Sequence, residues 1–268
     1  MVTCAATLDV PRHIVVYRSR LLAGHRRRLN TPRGSRALGT FRQAVLVLRW
    51  FRERSCVHCL ARDAGVSQAT GYRHPHEGVD VLAAQAPDLH GVLDRCRGEE
   101  MSHVILQGML VESDRVTGTR DNGNDLWFSQ KHKSFGGNIQ FLSAPDGTPP
   151  WVSDAEPGST PDITAARLYV PPCTRQPPTA CPRWPTRATS APASAYASRS
   201  AARKGKPERA LDVDTRTTNA LFRDLRARGE RAAAELRERW RTFKHITVSP
   251  CRIGDITRAA LVLNGHWK

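Results

Sequence analysis

The chain has 268 residues, 40% of them hydrophobic, and a formal net charge of +16 at pH 7. That length suits one large domain or two small ones, and the longest apolar runs, "AVLVL" at 44–48 and "ALVL" at 260–263, fall far short of the ~20 residues that a membrane span needs. The excess positive charge favours a polyanionic partner, nucleic acid first.

The N-terminus, "MVTCAATLDVPRH", lacks a basic start followed by an apolar core, so no secretory signal is expected and the chain reads as cytoplasmic. Seven cysteines, an odd number, argue against a disulfide framework. Residues 1–36 read as a basic segment. Its cluster "GHRRRLNTPRGSR" at 24–36 is expected to be solvated and flexible, with phosphate contact open to it because of its neighbour in the chain.

From residue 41 the apolar positions take a helical period: Phe41, Val45, Leu46, Leu48 and Phe51, with Arg and Glu between them. Next, "VHCLARDAGVSQATGYR" predicts a short helix over 57–63, a tight turn at Gly65 and a second helix after Ser67, a good N-cap. Helix, glycine turn, helix is the layout of a helix-turn-helix, which gives an all-α DNA-binding domain over 37–100. Val66 would pack between the two helices. Ser67, Gln68, Ala69, Thr70 and Arg73 open the second helix and are the candidate DNA-binding residues. An ordinary helical hairpin has the same layout, and the basic charge favours DNA. Pro75 falls inside the expected second helix, where it costs ~3 kcal/mol, so the helix is expected to end near Arg73 or to kink there. "CVHC" at 56–59 has metal-ligand spacing, but no second pair follows. Both cysteines also lie where the helix needs apolar residues, so zinc is not expected.

From residue 101 the period changes. "HVILQGMLVES" reads as a buried strand, "GGNIQFLSA" at 136–144 as a second, and "PPWVSD" at 149–154 as a third, with the turn "PDG" joining the last two into a hairpin. "PGSTPDITAARL" at 157–168 predicts a helix capped at Ser159 or Thr160 with Pro161 at its first position. A long helix follows at 215–242, with apolar positions at Leu221, Leu225, Leu236 and Trp240, and a last helix covers "RIGDITRAALVLNGHW". Strands followed by helices give an α/β domain with a mixed sheet over 101–268.

The segment "LWFSQKHKSFGGNIQFLSAPDGTPPWVSDAEPGSTPDITAARL" at 126–168 resembles the middle of the DDE transposases of bacterial insertion sequences, in the DDE superfamily endonuclease branch related to Harbinger-type elements. "CLARDAGVSQATGYR" is similar to the helix-turn-helix such proteins carry, and "GERAAAELRERW" to their C-terminal acidic helix. The resemblance implies a ribonuclease-H-like fold, with three carboxylates holding two Mg2+ (or Mn2+) ions, one activating the nucleophile and the other stabilising the leaving oxygen. It implies DNA as partner, at the inverted-repeat ends of the element, and a nucleoid-associated bacterial protein. A homo-oligomer is compatible with it.

Residue by residue, the resemblance carries over incompletely. The third family position is Glu230 in "GERAAAEL"; a solvated helix charge, like Glu235 and Glu238, is its plainer reading. The first position is Gln107, whose amide offers one neutral oxygen and cannot share charge between two Mg2+ ions. The second, an Asp in a motif like Leu-Ala-Asp-Lys-Gly-Tyr, is absent. Asp162 and Asp114 are substitute ligands by proximity in sequence alone: Asp162 starts a helix, where capping suits it, and Asp114 lies past the metal position.

Where the second Asp belongs stands "PPCTRQPPTACPRWPTRATSAPASAYASRS", residues 171–200, without Asp, Glu, Gly, Leu, Ile, Val, Phe or Met. A GC-rich gene read out of frame drifts to this composition. In "RWPTRAT", Arg183 to Thr189, synonymous codons can be chosen so that a one-base shift reads Leu-Ala-Asp-Lys-Gly-Tyr, with the fixed TGG of Trp184 permitting it. Residues 169–205 are therefore expected to be aberrant, frameshifted and irregular, and this copy to be catalytically inactive. An authentic Pro/Ala-rich linker also fits the composition.

Overall fold

The computed structural model describes residues 8–169 and 212–267, in eight α-helices and four strands among them. The 171–205 segment, the expected frameshift and the missing second Asp all lie outside the described residues.

The chain begins with α1 (Arg12–Arg28), which the sequence reading did not find. Its core stripe of Ile14, Val15 and Leu22 is interrupted by Arg18, also buried, so the apolar period is broken just where it would be read. The basic cluster at 24–36 is partly anchored. Arg26 donates to the Leu38 carbonyl (3.0 Å) and to Gln43 Oε1 (2.6 Å), and Arg36 pairs with Glu77 (3.4 Å). Arg27, Arg28 and Arg33 remain exposed. After it come α2 (Thr40–Glu53), α3 (Val57–Ala64) and α4 (Gln68–Ala83). Gly65 ends α3 at φ +68, a left-handed conformation that glycine adopts without strain. Ser67 caps α4, its hydroxyl accepting from the Thr70 N–H at 3.3 Å.

Neither outcome expected at Pro75 occurs as stated: α4 runs through it to Ala83. Pro75 is buried, its ring set beside Trp50, Val57, Tyr72, Val79 and Ile256, and this packing offsets the lost hydrogen bond. The helix bound to end there is instead held by its neighbours.

A further helix, α5 (Leu89–Gly98), was also not read from sequence, because it buries only Val92 and Cys96, one turn apart. The sheet follows: β1 (Ile105–Glu112), β2 (Phe128–Ser129), β3 (Ser134–Ser143) and β4 (Trp151–Pro157). Central β3 pairs with β1, β2 and β4, each time antiparallel. The expected mixed sheet is thus antiparallel among the described residues; a single bridge, Ser113 with Ile246, is parallel. The β3–β4 turn closes through Ala144 N–H to the Thr148 carbonyl (2.8 Å), with Gly147 at φ +87.

Helices cover both faces of the sheet. On one face Met109, Val111, Ile139 and Phe141 meet Ala232 and Leu236 of α7 (Val213–Arg239) and Ile253 and Ile256 of α8 (Ile253–Gly265). On the other, Leu106 and Leu142 meet α5, with Trp151 against Tyr169 of α6 (Asp162–Tyr169). The α/β class and the hairpin are as expected; α6 begins at Asp162, one residue past Pro161. Leu221, expected on the apolar face of the long helix, is exposed. The N-terminal helices and the sheet share one continuous core, joined where α4 packs on α8 and where Phe51 meets Trp240 edge-on at 6.0 Å. Among the described residues no helix is long and apolar enough to cross a membrane.

Candidate active site and nucleic-acid interface

Strand alternation sorts the candidate ligands onto opposite faces. Gln107 points at α7: a Cβ added to Gly229 would meet Gln107 Cδ at 2.5 Å, so the helix approaches β1 this closely only because residue 229 has no side chain. Gln107 Nε2 donates to the Arg226 carbonyl at 2.9 Å. One residue past Gly229, Glu230 accepts from Arg226 Nε at 2.9 Å and is exposed. The fold thus brings the first and third family positions together across the β1–α7 contact. Gly229 is the signal that sequence reading missed: a glycine inside a long helix costs about 1 kcal/mol against alanine and marks a close approach.

Asp162 stands on the other face. A Cβ at Gly108, the residue after Gln107, would lie 2.8 Å from Asp162 Oδ1. The Asp162 carboxylate accepts from Asn138 Nδ2 (2.9 Å) and pairs with Lys131 Nζ (2.7 Å). Asp114 follows the end of β1, seven residues from Gln107, which is roughly 20 Å of extended chain. It is bonded there to His245 Nε2 at 2.6 Å. The structure therefore brings neither Asp162 nor Asp114 to Gln107 and Glu230.

Donor chemistry decides what this arrangement can hold. Gln107 contributes a neutral amide whose N–H is already committed to a backbone carbonyl, and Glu230 is engaged by a guanidinium. Hard divalent ions need several anionic oxygens converging on one point. Among the described residues no group of three His, Cys, Asp or Glu side chains could hold a metal ion, "CVHC" included. The donors that β1 and α7 present do not fit a two-metal centre.

The second site lies on α3 and α4. Ser67, Gln68, Ala69 and Arg73 are exposed, Thr70 is partly so, and Ser67 and Thr70 are bound to each other through the cap. Tyr72, unnoticed in the sequence, is exposed between them, and its hydroxyl meets His58 Nε2 of α3 at 3.0 Å. Val66 packs against the core between the helices, as expected. Contrary to the apolar positions expected for them, Cys56 and Cys59 are both exposed, since Val57 and Leu60 supply the buried side of α3.

A wider polar cavity of about 470 Å³ opens beside β2 and the start of α6, lined by Arg120, Ser129, Lys131, His132, Asn138 and Asp162. It lies on the Asp162 face of the sheet, away from Gln107.

Compared with known proteins, residues 106–264 match the family described as DDE superfamily endonuclease. None of the curated proteins and none of the solved structures compared with the chain matches it. Endonucleases of this family generally depend on divalent metal ions and act on DNA. The match spans more than half of the chain, from the strand that carries Gln107 to the end of the last helix, and the chain belongs to the DDE superfamily endonucleases.

Proposed function

We propose that this chain is a transposase-type protein of an insertion sequence that binds the inverted-repeat ends of its element through α3 and α4 but does not cut or join DNA. The observation that carries the catalytic half is the meeting of Gln107 and Glu230 across β1 and α7, an amide and an arginine-paired carboxylate where the family's chemistry requires paired carboxylates. The binding half rests on a glycine-turned helix pair whose second helix opens with exposed Gln68, Ala69, Tyr72 and Arg73, and on the +16 charge. A bacterial, nucleoid-associated protein, with or without self-association on the two ends, follows from this reading. An intact binder without catalysis would act as a competitor of an active transposase at the same ends.

Gel shifts with the inverted repeats that flank the gene test the binding half. The expected outcome is tighter binding to the ends than to random duplex, falling as salt rises, with Arg73→Ala weakening it. Equal affinity for both duplexes at every salt concentration contradicts end recognition.

The same reading takes residues 169–205 as the product of a shifted frame that removed the second Asp. The coding DNA is expected to spell Leu-Ala-Asp-Lys-Gly-Tyr across Arg183 to Thr189 when read one base over. If no single-base shift yields Asp-Lys-Gly-Tyr there, the segment is an authentic linker.

A further inference from the structure

The search of the molecule returns to "CVHC", which the proposed function leaves unused. Cys56 is the N-cap of α3 and Cys59 lies in its first turn, so the pair sits at the positive end of a helix with both thiols exposed. The Cys56 sulfur accepts hydrogen bonds from the backbone N–H groups of Cys59 and His58 and is hydrogen-bonded to the Cys59 thiol. These contacts, with Arg62 nearby, hold the Cys56 thiol below its ordinary range. The other two described cysteines lack this setting. Cys96 is buried in the α5–sheet contact and its thiol is pushed up by burial, while Cys251 is exposed in a short 3-10 turn with no second cysteine beside it in sequence.

Two thiols in contact at a helix N-terminus, one of them activated, are the arrangement that thiol–disulfide exchange uses. A C-x-x-C pair at N-cap and first turn also needs little backbone movement to close. We propose that Cys56 and Cys59 form a redox-active dithiol that exchanges with low-molecular-weight disulfides of the glutathione type. Cys56, as thiolate, attacks one sulfur of glutathione disulfide, forming a mixed disulfide and releasing one glutathione thiolate, which takes up a proton. Cys59 loses its proton to water and attacks the Cys56 sulfur, closing the protein disulfide and releasing the second glutathione. Two protein thiols are oxidised, and one small disulfide is reduced to two thiols. The site is tied to α4 through the His58–Tyr72 hydrogen bond (3.0 Å), so its oxidation state adjoins the exposed start of that helix.

Trypsin isolates this pair, because cleavage after Arg54 and Arg62 releases Ser55–Arg62, which contains these two cysteines and no others. The full-length protein is equilibrated in glutathione buffers of graded reduced-to-oxidised ratio, quenched with acid, alkylated, digested and weighed. The expected result is a Ser55–Arg62 peptide two hydrogens lighter at oxidising ratios, restored by dithiothreitol. Cys59→Ser is expected to accumulate a glutathione adduct on Cys56, and Cys56→Ser to leave Cys59 alkylated several-fold more slowly than Cys56 in the native chain. A peptide that stays in the dithiol form, or that carries two glutathiones without forming the internal disulfide, overturns the proposal. So does a Cys56 no faster than Cys251 in alkylation. DNA takes no part in these readouts, so they stand or fall separately from end binding.

Discussion

Arg18 is the residue whose energetics the fold explains least comfortably. It is fully buried in α1, and none of its three guanidinium nitrogens has a hydrogen-bond partner. Burial alone pulls its pKa down to about 9. An unpaired buried charge is among the costliest features a core can contain. Arg18→Met keeps the length of the stem and removes the charge, and it is expected to stabilise the protein by roughly 1–4 kcal/mol. Urea denaturation would show this as a higher midpoint. The sign with pH follows from linkage: between about 9 and 12.5 the unfolded chain holds the Arg18 proton and the folded chain does not, so native stability gains as pH rises through that window. The advantage of Arg18→Met is therefore expected to shrink above pH 9. A variant less stable than the native chain would mean that the guanidinium is satisfied in solution.

Between elements, glycines set how closely helices approach. Gly78 of α4 faces α1, and a Cβ there would land on Arg18 Nη2 and lie 3.0 Å from Val47 Cγ2 of α2. Because Arg18 is fully buried, its end cannot swing aside into solvent. Gly78→Ala is expected to cost about 1–3 kcal/mol despite the better helix propensity of alanine. In an Arg18→Ala background the same change is expected to be close to neutral, which a double-mutant cycle in urea would measure as coupling. Equal costs in both backgrounds would show that α1 is not what forbids a side chain at 78. The same logic applies at Gly229, where α7 crosses β1.

What the sequence made legible at this scale follows the strength of each pattern. The strands β1 and β3, the hairpin, α2 and α7 carried clear periods or turn residues, and the Gly65–Ser67 turn carried its own chemistry. Arg18 concealed α1, and α5 buries too few residues to show a period. Pro75 argued for a helix end that burial among Trp50, Val57 and Val79 overrode. The partnership of Gln107 with Glu230 came from a family resemblance. Its physical trace in the sequence, a glycine in the middle of a long helix, became readable once the β1–α7 contact gave it a reason.

Taken whole, the molecule joins its N-terminal helices to the endonuclease sheet through one core, with Trp240 and Phe243 reaching Phe51 and α2, and Thr242 Oγ1 donating to the Trp50 carbonyl at 2.6 Å. The helix pair proposed for DNA is thus held firmly against the body that would have cut it. Loss of the metal carboxylates leaves this packing in place: Gln107 and Glu230 are held by hydrogen bonds at the sheet–helix contact rather than left as an unpaired charge cluster. A protein of this kind keeps its docking surface after its chemistry is gone. The direct test is strand cleavage of labelled inverted-repeat ends in Mg2+ or Mn2+ by the full-length protein. No metal-dependent turnover is predicted, with Gln107→Asp alone failing to restore it. Clear turnover that Glu230→Ala abolishes would contradict the account.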